Sequence, residues 1–483
     1  MGEGGQDECT NQIIANKMAQ TRYLMAKMSA MICCMGLFCS GFTACSNDDD
    51  PVVTPSNPDN PTEEPIDTAR YTIIVYGNAG GNMDNAIEHV FEETKPLIKL
   101  GSGVRLIYAY KYGKDFVLPD GTHWFTGKYA DPGSIAYFEM HDGMDLEKIR
   151  ENSANWSDFP LYEPSGLTTL INNIAHYAPA RDYIFVMWGH GGGFDASNDI
   201  PWDLKLPAKE TATRGVIYDE ELGGAGMDMY EFSKAIEDSD IDKFKCIFLH
   251  NCSLGNLETL TQIQPYAEYM MSSAHVLYSG GEPVIELVRG ISEGKSFESS
   301  ADRLFAEADL IIKPAFPDTL NGDMNMLRSE GLTEVNNKVR SLANWLCWNY
   351  PTQKDAIDRA TDRVYGFNRG LIFYDVADYA DKLYEETADE DIGIISRDLH
   401  AAFNKAFVHR AKVDGKDHYT IPEFTLSTVL INGYNYYYWQ PLRDANYSFG
   451  LIYSGTRFHQ LTGWGNWLSM NAILPQNNPY GQD

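Results

Sequence analysis

The sequence predicts an α/β fold built on a mostly parallel sheet. Three observations carry the prediction. Short, unbroken apolar runs such as YIFVMW (183–188) and CIFLHN (246–251) recur, as in strands buried on both faces. Segments with helical spacing separate these runs, so strands and helices alternate along the chain. Two of the runs stop at side chains able to do chemistry, His190 and Cys252, at the strand ends where an open parallel sheet carries its crevice.

Taken in order, residues 25–45 (MAKMSAMICCMGLFCSGFTAC) join a lysine, an apolar stretch and small residues, the pattern of a secretory signal. Residues 1–24 precede it and read as lying upstream of the true start. Phe42-Thr43-Ala44-Cys45 resembles the lipobox of bacterial lipoproteins, with Phe42 in place of the usual Leu or Val. That likeness implies lipid attachment at Cys45 and a lipid-anchored, outward-facing place in the bacterial cell envelope. Residues 46–70 are acidic and Pro-rich and are expected to form a disordered tether.

A catalytic core is expected over 71–300. YTIIVYGNAGGNMD (71–84) reads as strand, Gly-rich turn and helix start, followed by a helical pattern. VRLIYAY (104–110) and SIAYFEM (134–140) read as strands, the second on an antiparallel edge. A helix over 165–180, capped by Ser165 or Thr168, precedes the strand 183–188. Residues 194–228 read as one long loop, 229–239 as a helix, 246–251 as a strand, 254–270 as a helix kinked at Pro265, and 275–280 as a further strand. Beyond 300, 335–350, 374–387 and 395–409 have amphipathic helical spacing, and an aromatic β-rich stretch begins at 424. Residues 301–483 are thus expected to be a helical and β-rich extension, either a subdomain or a continuation of the core.

Composition narrows the partners. A net charge of −30 excludes a nucleic-acid backbone as ligand, which needs clustered Lys and Arg. Abundant aromatics, with 29 Tyr, 22 Phe and 9 Trp, mark a globular chain. Only Cys246, Cys252 and Cys347 of the eight cysteines lie beyond the leader, an odd set that is no disulfide framework, so free thiols are expected. None of them forms a C-x2-C pair, and neither a metal nor another cofactor is expected.

The chemistry centres on a thiol and an imidazole. A thiol attacks as thiolate, a state that a nearby imidazole supplies. Gly191 and the two glycines after it leave backbone N–H groups uncrowded beside His190, and one of these with the Cys252 N–H makes a candidate oxyanion hole. Taken singly, each residue has a plainer reading: Cys252 as a small core side chain, His190 as a packed or capping residue.

GHGGGF (189–194), CIFLHNCSLGNLE (246–258), VYGNAGGNMD (75–84), YDVADYADKL (374–383) and SFGLIYSG…TGWGNWL (448–467) together resemble the clostripain family of cysteine peptidases, within the caspase-like clan. The resemblance implies a caspase-like α/β/α sandwich. It also implies Cys252 as nucleophile, His190 as general base and acid, an oxyanion N–H from Gly191, and a protein or peptide substrate. Family members often mature by a cut in the loop between His and Cys, which here spans 194–245. The family usually carries Asp two residues before the nucleophile, where it attracts a P1 Arg or Lys; this chain has His250. Glu282 is a candidate to replace that charge from a neighbouring strand end.

Two other readings compete. HGGG (190–193) with GISEG (290–294) matches the oxyanion and nucleophile motifs of serine esterases, with Ser292 as nucleophile, although Glu286 and Arg289 interrupt the run before it. The absent Asp favours a catalytically silent, lipid-anchored binding protein on a peptidase scaffold.

Overall fold

The computed structural model describes residues 68–78, 83–115, 117, 121–123, 125–153, 159–191, 217–219, 225–275, 277, 280–316, 321–367, 373–415, 421–422, 425–429 and 455–471, all within one unit, Thr62–Asp483. Cys45 and its leader, the tether up to residue 67, Gly192, Gly193, and Lys205, Lys209 and Arg214 of the long loop lie outside the described residues.

In chain order the strands are β1 (Ala69–Asn78), β2 (Val104–Lys111), β3 (Ile135–Met140), β4 (Ala180–Gly189), β5 (Ile217–Asp219), β6 (Ala225–Met227), β7 (Phe244–His250), β8 (Ala267–Ser272), β9 (Gly322–Arg328), β10 (Phe373–Asp375), β11 (Phe407–Val413) and β12 (Ser427–Val429). Among the described residues, eight of them form the main sheet in the order β11-β9-β8-β7-β4-β1-β2-β3. The run from β8 to β2 is parallel, and β3, β9 and β11 close it with antiparallel edges. The chain steps from β1 outward to β2 and β3, then returns past β1 to β4. The crevice belongs at this reversal, outside the carboxyl ends of the strands.

Both faces of the sheet are covered. Ile73, Val75, Val186 and Phe248 pack with α1 (Asp84–Thr94), α5 (Glu282–Ser292) and α6 (Phe297–Ala306). Ile74, Phe185, Met187, Ile247 and Leu249 face α2 (Pro164–Tyr177), α3 (Met229–Glu237) and α4 (Leu257–Ile263). The long α7 (Leu332–Arg363), α8 (Val376–Thr387) and α9 (Glu390–Ala406) cover the same side. Alternate strand residues therefore enter different cores, which is why these strands read as unbroken apolar runs. The result is the α/β/α sandwich with a mostly parallel sheet.

Several elements differ from expectation. β1 begins at Ala69 rather than Tyr71, because Ala69 N donates to Pro179 O at 2.8 Å and Arg70 N to Gly103 O at 2.7 Å. The helix expected over 254–270 ends at Ile263; Pro265 sits in a 3₁₀ turn, and the strand beyond it is β8; of the strand expected at 275–280, residues 275, 277 and 280 lie in no strand and the others lie outside the described residues. Proline lacks the N–H to continue the helix, and the short run AEYMMS was too small to show its own period. Helix α2 is entered at Glu163 with Pro164 in its first turn, and neither Ser165 nor Thr168 caps it. The loop 194–228 contains the β5–β6 hairpin. β9 and β11 come from beyond residue 300, so the main sheet draws strands from both sides of the expected boundary.

Candidate active site

β4 and β7 run side by side in parallel, with Trp188 opposite His250 and an offset of 62 residues at every rung. β4 ends at Gly189 and β7 at His250, so His190 and Cys252 both lie just past the carboxyl ends of two adjacent strands. Adjacent strands lie about 4.8 Å apart. Both residues are half-buried, so each keeps a face to solvent.

The turns after the two strands are locked together. Gly189 has φ +145°, a conformation that favours glycine, and this swings the chain out of β4 at His190. Asn251 Nδ2 donates to His190 O at 3.0 Å. At Gly191 a Cβ would lie 2.6 Å from Cys252 O, 2.9 Å from Asn251 Cβ and 3.1 Å from Cys252 N, so only glycine fits. The backbone of Gly191 thus lies directly against that of Cys252.

Beyond the thiol the chain turns sharply. Ser253 has φ +58°, a left-handed conformation that costs a non-glycine residue about 1 kcal/mol or more. Ser253 N donates to His275 O at 3.0 Å, Gly255 N to Ser273 O at 2.7 Å, and Asn256 Nδ2 to Ser253 O at 2.9 Å. At roughly 1 kcal/mol each, these bonds are enough to hold the turn. Asn256 then caps α4 through Thr259 N at 2.8 Å. Cys252 Sγ lies 3.3 Å from Leu277 O.

The three described cysteines are all free thiols. Cys246 is fully buried, and burial pushes its thiol up, so it stays protonated. Cys347 is half-buried, and burial raises its thiol too. Among the described residues no cluster of His, Cys, Asp and Glu has the make-up of a metal site.

His250 is the last residue of β7, two positions before Cys252. Only 2% of it is exposed. Its ring stacks on Trp188 with centroids 4.6 Å apart and planes 7° from parallel, and meets Phe248 edge-on. Burial pushes its pKa down to about 4, against the weaker pull of the backbone of His250 and Gly280. It is therefore a neutral imidazole at pH 7. Glu282 does not sit at a strand end; it opens α5, directly after Gly281, whose Cβ would lie 3.4 Å from the Trp188 ring. Its Oε2 is buried and has no hydrogen-bond partner among the described residues.

Ser292 has none of the geometry that the esterase reading requires. It ends α5, and Gly294, at φ +92°, stops that helix by donating to Ile291 O. Arg70, at the start of β1, donates to Ile291 O and Gly294 O, which places Ser292 at the sheet edge opposite His190. The sequence marks a small, polar, Gly-containing turn after Cys252 but not the roles of Trp188 and Asn251 or the left-handed conformation of Ser253. Asn251 offered the one signal, a polar residue between an apolar run and the candidate nucleophile.

The clostripain family model matches residues 141–405, more than half of the chain. No curated protein matches it. Among solved structures the chain is similar to a secreted C11 cysteine protease of Bacteroides thetaiotaomicron, "iotapain", at 13% identity and a TM-score of 0.54, covering 82% of this chain and 99% of that one. It is similar also to an inactive zymogen C11 protease of Parabacteroides distasonis, at 15% identity and a TM-score of 0.53, with the same coverage of each chain, 82% and 99%. A third likeness is to a secreted C11 cysteine protease of B. thetaiotaomicron in complex with an irreversible peptide inhibitor, at 12% identity and a TM-score of 0.51, again covering 82% of this chain and 99% of that one. At these identities the likenesses speak for the fold.

Proposed function

The chain belongs to the clostripain family of cysteine peptidases, and on that premise we propose that it is an endopeptidase with Cys252 as nucleophile and His190 as general base and acid. The observation that supports the reading is the meeting of the two turns: Asn251 Nδ2 donates to His190 O at 3.0 Å, and the Gly191 backbone lies against that of Cys252. His190 takes the thiol proton as sulfur attacks the peptide carbonyl carbon, then delivers it to the departing amine. Water hydrolyses the acyl-enzyme, with His190 as its base. The N–H groups of Gly191 and Cys252, whose backbones lie against each other, receive the negative charge on the carbonyl oxygen.

The reading includes a departure in specificity. His250 is neutral and buried where a carboxylate would attract a guanidinium, so P1 is not restricted to Arg or Lys. Glu282, next in the chain after Gly281, is the candidate carboxylate that would favour a basic P1. If the pocket rejects basic residues, cutting by the enzyme itself at Lys205, Lys209 or Arg214 becomes less favourable. Acylation at Cys45 holds the enzyme at the cell envelope.

The test is mass spectrometry of a peptide library incubated with the protein. Wild type is expected to cleave after residues other than Arg and Lys. Cys252→Ala and His190→Ala should each lower turnover by about 10³-fold or more, without adding, since the two act as a unit. His250→Asp should shift cleavage toward basic P1. Turnover retained in Cys252→Ala overturns the reading. A wild type that binds peptides without cutting them favours the silent binding protein.

A further inference from the structure

A buried carboxylate far along the chain ties together the segments that hold the Cys252 turn. Asp323 lies at the start of β9, fully buried. The β8–β9 ladder ends at Ser272 opposite Asn325, and beyond it residues 273–275 leave the sheet. Their amides lose ladder partners there, and Asp323 replaces them. It accepts from Ala274 N and His275 N at 3.1 Å, from Ser273 Oγ at 3.1 Å, and from the Nδ1–H of His275. Its other oxygen takes Asn325 Nδ2 at 2.6 Å and Thr425 Oγ1 at 2.9 Å. The far ring nitrogen of His275 meets the Tyr365 hydroxyl at 2.9 Å.

Each segment so gathered touches the nucleophile turn. The carbonyls of Ser273 and His275 receive Gly255 N and Ser253 N, at 2.7 and 3.0 Å. Two residues on from Thr425, Ser427 N donates to Gly255 O at 3.2 Å from the opposite side. Leu277, two residues past His275, presents its carbonyl to Cys252 Sγ.

We propose that Asp323 is a positioning residue for the nucleophile: it fixes 273–275 and 425–427 around the turn and so sets where Cys252 Sγ stands relative to His190. A carboxylate suits the role because it only accepts, and every group aimed at it is a donor. An amide of the same shape would turn an N–H₂ toward those donors. The proposal rests on Cys252 being the nucleophile.

The test compares wild type, Asp323→Asn, Thr425→Val and Lys245→Met. It reads kcat and KM on a cleaved peptide, the pH dependence of iodoacetamide alkylation at Cys252, and thermal stability. Lys245 lies at the other end of β7, bridging Glu268 and Glu298, so Lys245→Met reports lost stability alone. Asp323→Asn is expected to lower kcat about ten- to a hundredfold with little change in KM, as for a reacting group displaced by about 1 Å. It should also slow alkylation and shift its pH midpoint. Thr425→Val, which removes one donor, should give a smaller fall of the same sign, and it decides the matter if Asp323→Asn does not fold. The proposal is overturned if the folded variants lose stability as Lys245→Met does yet keep wild-type kcat and alkylation. A wild-type Cys252 no more reactive than Cys347, together with turnover in Cys252→Ala, removes the nucleophile assignment instead.

Discussion

His190 and His250 stand two rungs of chemistry apart, one half-open to solvent and the other sealed against Trp188. That difference gives His250 a pH signature. An unfolded imidazole takes up its proton near pH 6.5, whereas burial keeps this one neutral down to about 4. Between those values the unfolded chain binds more protons than the folded one, so stability falls as pH drops through the window and levels off below it. A depression of this size corresponds to about 3 kcal/mol. His250→Phe keeps an aromatic ring on Trp188 and removes the titration. Urea unfolding at pH 7 and near pH 4.5 should show a smaller acid loss in the variant than in wild type; equal losses would falsify the assignment of this slope to His250. The residue itself was legible in the sequence, because alternation along a strand puts it on the face of Cys252. Its partner was not: Trp188 reads as one more apolar residue until the β4–β7 register is known.

The turn from β7 into α4 shows what local sequence can and cannot convey. The strand was visible as an apolar run, and Cys252 as the residue where it stops. The left-handed Ser253 had no signal, since serine carries no marker for positive φ and the bonds that hold it come from residues 273 and 275. Asn256 joins the turn to the helix, one amide group serving both through Oδ1 to Thr259 N and Nδ2 to Ser253 O. The two duties separate by substitution. Asn256→Ala should cost about 1–2 kcal/mol as a lost cap, and Asn256→Ser should recover most of it, because serine caps nearly as well. Neither replaces the donor to Ser253 O, so both should slow iodoacetamide alkylation of Cys252. Recovery of alkylation together with stability in Asn256→Ser would show that Asn256 only caps. The strand misread at 275–280 has a related cause: Pro265 cut an apparent helix into a short helix and a strand, and the apolar residues of 267–272 were absorbed into the wrong element.

At the scale of the whole molecule, the parallel centre was legible because its strands are buried on both faces, while β9 and β11 were not. GDMNMLR and FVHRAKV mix polar residues into the antiparallel strands at one side of the sheet, and only pairing with β8 and with each other defines them. Asp323 lies in that illegible part, so its proposed support of the Cys252 turn escaped a reading that had singled out Cys252 itself. We propose lipid attachment at Cys45 as a further property of the entire chain. Among the described residues no helix is long and apolar enough to cross a bilayer. The net charge of −30 opposes adsorption to an anionic leaflet, which draws basic segments. The lipobox-like Phe42-Thr43-Ala44-Cys45 is what supports acylation at Cys45. Each buried methylene of an acyl chain contributes about 0.8 kcal/mol, and stable anchoring takes more than one chain. Metabolic labelling with palmitate should mark wild type, and Cys45→Ser should lose both the label and the membrane fraction while keeping peptide cleavage in the released protein. Equal labelling of the two rules out Cys45 as the anchor, and loss of cleavage on release would tie the activity to the membrane itself.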